Sequence, residues 1–173
     1  MKKLLSWPWS EADSRLWGQP VEFLSMSSVA NYLSKLSKPC TNYIDDPALG
    51  VVLAAGTGFP LEHNPDTVRA PDVAFLSRER IEAVGEPPEG YWQGAPDLAV
   101  EGVSPNDSYS DVREKAFKRL DGGAKMAIVA GPRRRDVTVY RSRMDIAALT
   151  EAEHLTGGDV VPGRSIRAQE IFA

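Results

Sequence analysis

The sequence predicts an α/β or α+β fold in which helices pack against a β-sheet. Short apolar segments typical of strands follow one another from Gly50 to about residue 103, and a helix-like segment comes next at 109–121. Two more strand candidates follow that helix, joined by a turn that contains glycine and proline. The chain has 173 residues, which suits one domain, since domains commonly span roughly 100–200 residues.

Composition and charge are those of an ordinary globular protein. The residues are 42% hydrophobic and 25% charged, with 14 glycines and 13 prolines, which excludes collagen-like and low-complexity chains. The one cysteine, Cys40, excludes a disulfide scaffold and fits a reducing compartment. No apolar run approaches the roughly 18 residues of a membrane span, and Pro8 interrupts the signal-like start. We therefore expect a cytoplasmic protein with no membrane partner.

The N-terminal region predicts one helix before the first strand. Apolar residues recur at helical spacing in residues 25–38, where Val29, Leu33 and Leu36 share one face. Pro39 lies beyond the predicted end, because proline does not continue a helix.

From Gly50 onward the pattern changes to short extended segments separated by turns. The first is a continuous apolar run, and a Gly-Thr-Gly turn at 56–58 separates it from the second. The third and fourth are each preceded by Pro-Asp. The four strand candidates are Val51–Ala55, Phe59–Leu61, Val73–Leu76 and Leu98–Val103.

The second half of the chain predicts a helix followed by a hairpin. The helix covers about Tyr109–Asp121 and ends before two glycines; its candidate N-caps are Asp107, Ser108 and Ser110. Met126–Ala130 and Val137–Arg141 are predicted to pair around the turn at 131–135. A short helix is predicted over Arg167–Phe172 at the C-terminus.

Basic residues concentrate in one zone of an acidic chain. The net charge is −4, which argues against a protein that coats nucleic acid indiscriminately. Residues 113–143 nevertheless carry ten lysines or arginines against three acids, a distribution that can follow the backbone of a polyanion. The alternative is that these charges lie on solvated faces and in a turn.

Motifs for nucleotide loops and zinc sites are missing from the sequence. Gly56 and Gly58 are followed by Pro60 and an extended segment instead of a helix, which argues against a dinucleotide-binding turn. His63 and His154 lie far apart, and with one cysteine they cannot complete a closed zinc site.

Two carboxylates beside or within apolar strands are the informative residues. Asp72 precedes one strand candidate and Glu101 lies inside another. A carboxylate among apolar neighbours is costly to bury unless a cation or hydrogen-bond donors satisfy it. If the two strands are neighbours, both acids can hold Mg²⁺, which keeps part of its hydration shell; the alternative is that each faces water at a strand edge. Asp97 is about 13 Å from Glu101 along a straight strand and is interpreted as a turn or strand-entry residue.

Lys115 is a candidate for a cation beside these acids. A lysine there would orient or deprotonate a water that attacks a phosphodiester, and would stabilise the developing charge. Lys115 borders the apolar stripe of its predicted helix, about 60° from Val112 at about 100° per residue. Arg119 borders the stripe as well, and a surface pair of Lys115 with Asp111 is the alternative. Lys118 lies opposite the stripe and is predicted to face solvent.

Three segments of the chain carry a family signature. They are Asn-Pro-Asp-Thr-Val-Arg-Ala-Pro-Asp-Val-Ala-Phe at 64–75, residues 94–107 followed by Glu114-Lys115, and the tail at 157–163 with Glu-Ile-Phe at 170–172. Together they resemble the bacterial Uma family of restriction endonucleases. The resemblance covers residues 49–173. Residues 1–48 do not resemble the family and are interpreted as a divergent N-terminal helical segment of a single domain.

The resemblance implies the fold and the site of the PD-(D/E)xK nucleases: a restriction-endonuclease-like core with a central mixed sheet between helices, and a divalent metal held by acids. By position, Asp72 and Glu101 match the acids that would bind Mg²⁺ or Mn²⁺, and Lys115 matches the family's lysine. We expect a metal-dependent endonuclease acting on nucleic acid, DNA foremost, with a homodimer as one candidate assembly. The residues expected to contact nucleic acid are Lys118, Arg119, Arg133, Arg134 and Arg135. The divergent N-terminus predicts weakened cleavage, and the alternative is a catalytically inactive relative that acts as a binding or interaction module.

Overall fold

The computed structural model of the protein describes residues 39–172, apart from 41, 45–47, 55, 63–66, 86–90 and 105–106. Its strands are β1 (Gly50–Ala54), β2 (Phe59–Glu62), β3 (Thr67–Arg69), β4 (Val73–Ser77), β5 (Leu98–Gly102), β6 (Met126–Gly131), β7 (Asp136–Tyr140), β8 (Ile146–Leu149), β9 (His154–Thr156) and β10 (Ser165–Arg167). Its helices are α1 (Arg78–Val84), α2 (Tyr109–Asp121) and the 3₁₀ helix η1 (Ala168–Phe172). None of the helices in this part of the chain is long and apolar enough to cross a membrane.

A six-stranded mixed sheet forms the centre of the fold. Its spatial order is β1-β4-β5-β6-β7-β8. Strands β5 and β6 are parallel, and every other pair of neighbours is antiparallel. Two small antiparallel sheets, β2 with β3 and β9 with β10, lie beside it. The predicted α/β fold with a central mixed sheet is therefore confirmed.

Helix α2 connects the two parallel strands and covers one face of the sheet. Its start is fixed by a capping box: the Ser108 hydroxyl oxygen accepts from the Asp111 N–H at 3.2 Å, and the Asp111 carboxylate accepts from the Ser108 N–H. Val112 and Ala116 are buried against residues of β6 and β7. Beyond the helix Gly123 has a φ of 102°, which favours glycine. The predicted bounds are confirmed, and Ser108 is the N-cap.

Alternation along β5 sends its side chains into two different layers. Leu98 and Val100 pack into the larger core, together with Ile171 of η1. Glu101 lies on the opposite face, the one that α2 covers, where its carboxylate is paired with Arg119 of that helix. The packing of α2 therefore determines the surroundings of Glu101.

Several predicted elements differ from the observed ones. The helix predicted over 25–38 lies outside the described residues, as does most of the segment 1–48. Pro39 is itself helical, and Cys40, Tyr43 and Ile44 beside it are buried in the larger core, so core packing holds this turn. The strand predicted at 59–61 is β2 of a small sheet, outside the central one. Elements β3, α1, β8, β9 and β10 were not predicted, since three to seven residues are too few to show a period.

Candidate active site

Asp72 and Glu101 lie beside each other at one end of the paired strands β4 and β5. The two strands pair with Val73 opposite Val100, and Asp72 immediately precedes β4. The Asp72 N–H donates to the Val100 carbonyl at 3.1 Å, which holds Asp72 against β5 next to Glu101. The two carboxylates are close enough for Asp72 to raise the pKa of Glu101. The expectation that the two strands adjoin in one sheet, with α2 packed on it, is confirmed.

The carboxylate of Asp72 is held by backbone. Its Oδ2 accepts a hydrogen bond from the Gly102 N–H at 2.7 Å. Burial raises the pKa of Asp72, and that N–H together with the cations Lys115 and Arg119 offsets only part of the rise. The carboxyl group is therefore fixed in place, and a neighbouring positive charge stabilises its ionised form.

Glu101 forms a buried ion pair with Arg119. The Arg119 Nε donates to Oε1 of Glu101 at 2.8 Å, and Nη2 lies 2.7 Å from the same oxygen. The guanidinium also donates from Nη1 to the Arg69 carbonyl at 3.2 Å. Burial raises the pKa of Glu101, the guanidinium opposes that rise, and the nearby Asp72 carboxylate adds to it.

Arg119 is not a surface residue, which corrects its expected place among the groups that contact nucleic acid. It is 4% exposed, and its donors are used within the protein. At about 100° per residue it lies about 20° from Val112, inside the apolar stripe and not at its border. That wheel position was the sequence signal for a buried cation facing the sheet.

Lys115 lies near Asp72 and Glu101, but its ammonium group forms an ion pair with a third acid. Its ammonium contacts Asp107 at 3.1 Å, and Asp107 also accepts from the Ser104 N–H at 3.0 Å. The proposed surface pair with Asp111 is wrong, because that carboxylate is used in the cap of α2. The positive charge of Lys115 opposes the raised pKa of Asp72 and of Glu101. The structure thus brings the three predicted site residues together, and Asp107 is an addition that the sequence analysis did not assign.

The remaining basic residues are divided between different surroundings. Lys118 is exposed, as predicted, and pairs with Glu114 at 2.7 Å. Arg135 pairs with Glu151 at 2.9 Å and lies over the ring of Phe172. Neither Arg133 nor Arg134 forms an ion pair with any residue that the structure describes; both are exposed. The three consecutive arginines therefore do not form one uniform contact surface.

Asp97 is the strand-entry residue that the sequence predicts. Its carboxylate accepts from the Ser77 N–H at 2.9 Å and contacts Lys125 at 3.1 Å. It immediately precedes β5 and stabilises the start of that strand against the end of β4. Asp97 therefore takes no part in the pairing of Asp72 with Glu101.

The donor set fits one divalent cation. No described residue hydrogen-bonds to Oδ1 of Asp72 or to Oε2 of Glu101, so each acid keeps one oxygen for a ligand. Mg²⁺ is commonly bound by one or two carboxylates and completes its shell with water. A third acid is not grouped with them in the described part of the chain. A cleft of about 330 Å³ beside Glu101, with Lys115 and Lys118 in its lining, gives room for such ligands.

The raised pKa values of the two acids predict a pH dependence of stability. Between the unfolded value, about 4, and the raised folded values, the folded protein binds more protons than the unfolded chain. The free energy of unfolding in EDTA should therefore fall as the pH rises through the folded pKa values. Urea denaturation between about pH 4 and 7 measures this, and Asp72→Asn should flatten the slope, while Asp121→Asn at an exposed site leaves it unchanged. Identical slopes for wild type and Asp72→Asn would contradict the raised pKa.

Comparison with known proteins assigns the chain to a family. The sequence profile of the Uma2 family, described as "Putative restriction endonuclease", matches residues 18–170. The chain belongs to the Uma2 family. Membership supports a nuclease function and implies a nucleic-acid substrate. The match begins upstream of Leu49, so it includes most of the segment 1–48 that the sequence analysis set apart as divergent.

A solved structure shares the fold of this Uma2 protein. It comes from Anabaena variabilis ATCC 29413 and is described as "a putative nuclease belonging to DUF820". The two are 19% identical, with a TM-score of 0.67 over 80% of this chain and 79% of the other. At this identity the likeness shows the fold alone, and it agrees with the mixed sheet described above. No curated protein sequence matches the chain significantly.

Proposed function

We propose that this Uma2 protein is a metal-dependent endonuclease that hydrolyses phosphodiester bonds in DNA. The observation that carries the proposal is that the carboxylates of Asp72 and Glu101 lie beside each other, where the start of β4 adjoins β5. Each carboxylate is anchored through one oxygen and keeps the other for a ligand. Nuclease sites commonly use such acids to hold divalent cations that act on a phosphodiester.

Asp72 and Glu101 would hold Mg²⁺ or Mn²⁺ through Oδ1 and Oε2. The bound cation would supply polarisation of a phosphoryl oxygen and neutralisation of developing negative charge. The protein's own contribution is positional: the Gly102 N–H fixes the Asp72 carboxylate, and Arg119 fixes that of Glu101. Small errors in such positions cost rate heavily, so these two anchors are part of the site.

Lys115 would act on the attacking water and on the charged phosphate. Its ammonium lies against Asp107 and within electrostatic range of both acids. A fixed cation at this place orients a water molecule and stabilises the negative charge that forms during hydrolysis. Asp107 keeps the flexible lysine side chain near the acids, which makes it a positioning residue.

Lys115→Ala should reduce cleavage about 100-fold, a loss typical of removing one positioned donor or proton-transfer group. Lys118→Ala is the matched control, because Lys118 lies on the same helix, is similarly exposed and also forms an ion pair. It should change cleavage less than about threefold, as expected for a screened surface charge. Rates of plasmid nicking at saturating Mn²⁺ give the comparison. Equal losses of cleavage rate in the two variants would mean that Lys115 contributes only its positive charge.

The activity itself is tested with the purified full chain and supercoiled plasmid DNA. Nicked and linear products should form with Mn²⁺ or Mg²⁺ and stop in EDTA. An RNA substrate tested in parallel measures the preference for DNA. Absence of metal-dependent cleavage at saturating Mn²⁺ would contradict the proposal. A homodimer and a cytoplasmic location stay predictions of the sequence.

The ion pair of Arg119 with Glu101 favours a second candidate function. Because the guanidinium already compensates the buried carboxylate, the site can persist without a metal, as a binding module that no longer cleaves. Mn²⁺ titration by calorimetry separates the two candidates. Binding that Asp72→Asn weakens supports the nuclease, whereas DNA binding without any Mn²⁺ binding supports the inactive module.

A further inference from the structure

A second cavity lies next to the candidate active site, on the other side of the ion pair between Asp107 and Lys115. Its volume is about 240 Å³, and it opens between the first turn of α2 and the hairpin of β6 and β7. Asp107 lines this cavity, while Lys115 lines the cleft beside Glu101. The two spaces therefore adjoin at one contact without sharing a lining residue.

The inside of the cavity suits a flat, largely apolar group. Val112, Val129 and Tyr140 contribute apolar and aromatic surface. Thr138 stands opposite Val129 in the register of the hairpin, and Asp136 stands opposite Gly131 next to the turn. Both line the cavity and carry polar groups that can bond to the edge of a nucleic-acid base. The volume lies below the roughly 300–1,000 Å³ of common small-molecule pockets, which favours one ring system over a larger ligand.

The cavity carries an excess of positive charge: three arginines line it against two acids, of which Asp107 is already paired with Lys115. Arg133 and Arg134 line it and form no ion pair with a described residue. Arg135, next in the same turn, is turned toward Glu151 instead. Arg113 also lines the cavity, and its guanidinium lies 5.2 Å from the ring centre of Phe117. An apolar interior with free guanidinium groups at the entrance matches a nucleotide unit, a planar base joined to an anionic phosphate.

We propose that this cavity holds one unstacked base of the nucleic acid strand, and that Arg133 and Arg134 contact the phosphates flanking it. The inference rests on the proposed function, because it takes a nucleic-acid strand bound at the candidate active site to extend into the adjoining cavity. It adds a base-binding subsite to that site. Bases held on aromatic surfaces with basic residues along the backbone are a general mode of single-strand binding.

The test measures binding of two fluorescent single strands in EDTA: oligo(dC), and a strand of equal length that carries abasic units in place of every base. Wild type should bind oligo(dC) about tenfold more tightly, given that stacking of one base is worth about 1–3 kcal/mol. Thr138→Phe, which fills the cavity, should remove that preference and leave abasic binding unchanged. The nearly isosteric Thr138→Val is its control and should keep the preference.

Further variants separate base binding from charge and from loss of fold. Tyr109→Ala removes a largely exposed side chain at the cavity and should reduce the preference for oligo(dC) even if Thr138→Phe fails to fold. Arg133→Gln and Arg134→Gln should weaken the binding of oligo(dC) and of the abasic strand alike, whereas Arg135→Gln should leave the binding of both unchanged. Equal binding of the two strands by wild type, no binding of either, or a base preference unchanged in Thr138→Phe and Tyr109→Ala would overturn the proposal.

Plasmid cleavage in Mn²⁺, measured on the wild-type chain, keeps this proposal distinguishable from the proposed function. Cleavage together with equal binding of the two strands removes the base subsite and retains the nuclease. A base preference without cleavage retains the subsite on a protein that binds nucleic acid but does not hydrolyse it.

Discussion

Replacing Asp72 by asparagine is expected to reduce Mn²⁺-dependent DNA cleavage about 1,000-fold, and Glu101→Gln to do the same. Asparagine keeps an oxygen that can accept from the Gly102 N–H, which Asp72 now binds at 2.7 Å. The substitution therefore removes the charge while keeping the backbone anchor. Loss of one charged ligand costs several kcal/mol of charge stabilisation, and each 1.4 kcal/mol corresponds to about a factor of ten in rate.

The measurement is the initial rate of plasmid nicking over a range of Mn²⁺ concentrations. Asp121→Asn is the matched control, because Asp121 is an exposed acid of α2 whose partner is Arg143; its rate should match wild type. If Asp72→Asn retains more than about a tenth of the wild-type rate at saturating Mn²⁺, the two acids do not form the metal site.

Loss of metal binding and loss of positioning are separated by the Mn²⁺ dependence of the remaining activity. If the acids hold the cation, the variants should need more Mn²⁺, and calorimetry should show weaker binding. If they act only by holding the strands in place, the Mn²⁺ affinity should stay at the wild-type value while the rate falls. The proposed function requires the first result.

The sequence predicted the elements whose signals are local. Helix α2 has a capping serine, an apolar stripe and glycines after its end, and its observed bounds agree with the prediction. The hairpin of β6 and β7 was predicted because two apolar runs flank a turn containing glycine and proline. Short pieces such as β9 and β10, three residues each, form only because distant segments meet, which no local pattern reports.

The two acids were found from the sequence, but the surroundings that define their chemistry were not. Asp72 and Glu101 stand out because carboxylates are rare among apolar strand residues. The ion pair of Glu101 with Arg119 joins residues from β5 and α2, and depends on how the helix is rotated over the sheet. The position of Arg119 on the helical wheel, about 20° from Val112, is the only sign of this rotation in the sequence.

Arg119→Met is expected to lower the free energy of unfolding by about 3–5 kcal/mol, because it leaves the Glu101 carboxylate buried without its partner. Arg119 and Glu101 are 4% and 8% exposed, so the carboxylate stays poorly solvated when the guanidinium is lost. Urea denaturation in EDTA at about pH 7 measures the loss. Lys118→Met on the exposed face of the same helix is the control and should cost less than about 1 kcal/mol.

The double variant Arg119→Met with Glu101→Gln decides whether the loss comes from the unpaired charge. In the double variant both residues are neutral and no carboxylate is left buried without a partner. It should therefore be more stable than Arg119→Met alone. The deficit of Arg119→Met should also shrink as the pH falls. Without the guanidinium the pKa of Glu101 rises further, and the protonated acid needs no cation. A double variant no more stable than the single one, with a deficit that is independent of pH, would assign Arg119 a packing role. In that case Arg119 would not hold the carboxylate in the position that metal binding requires.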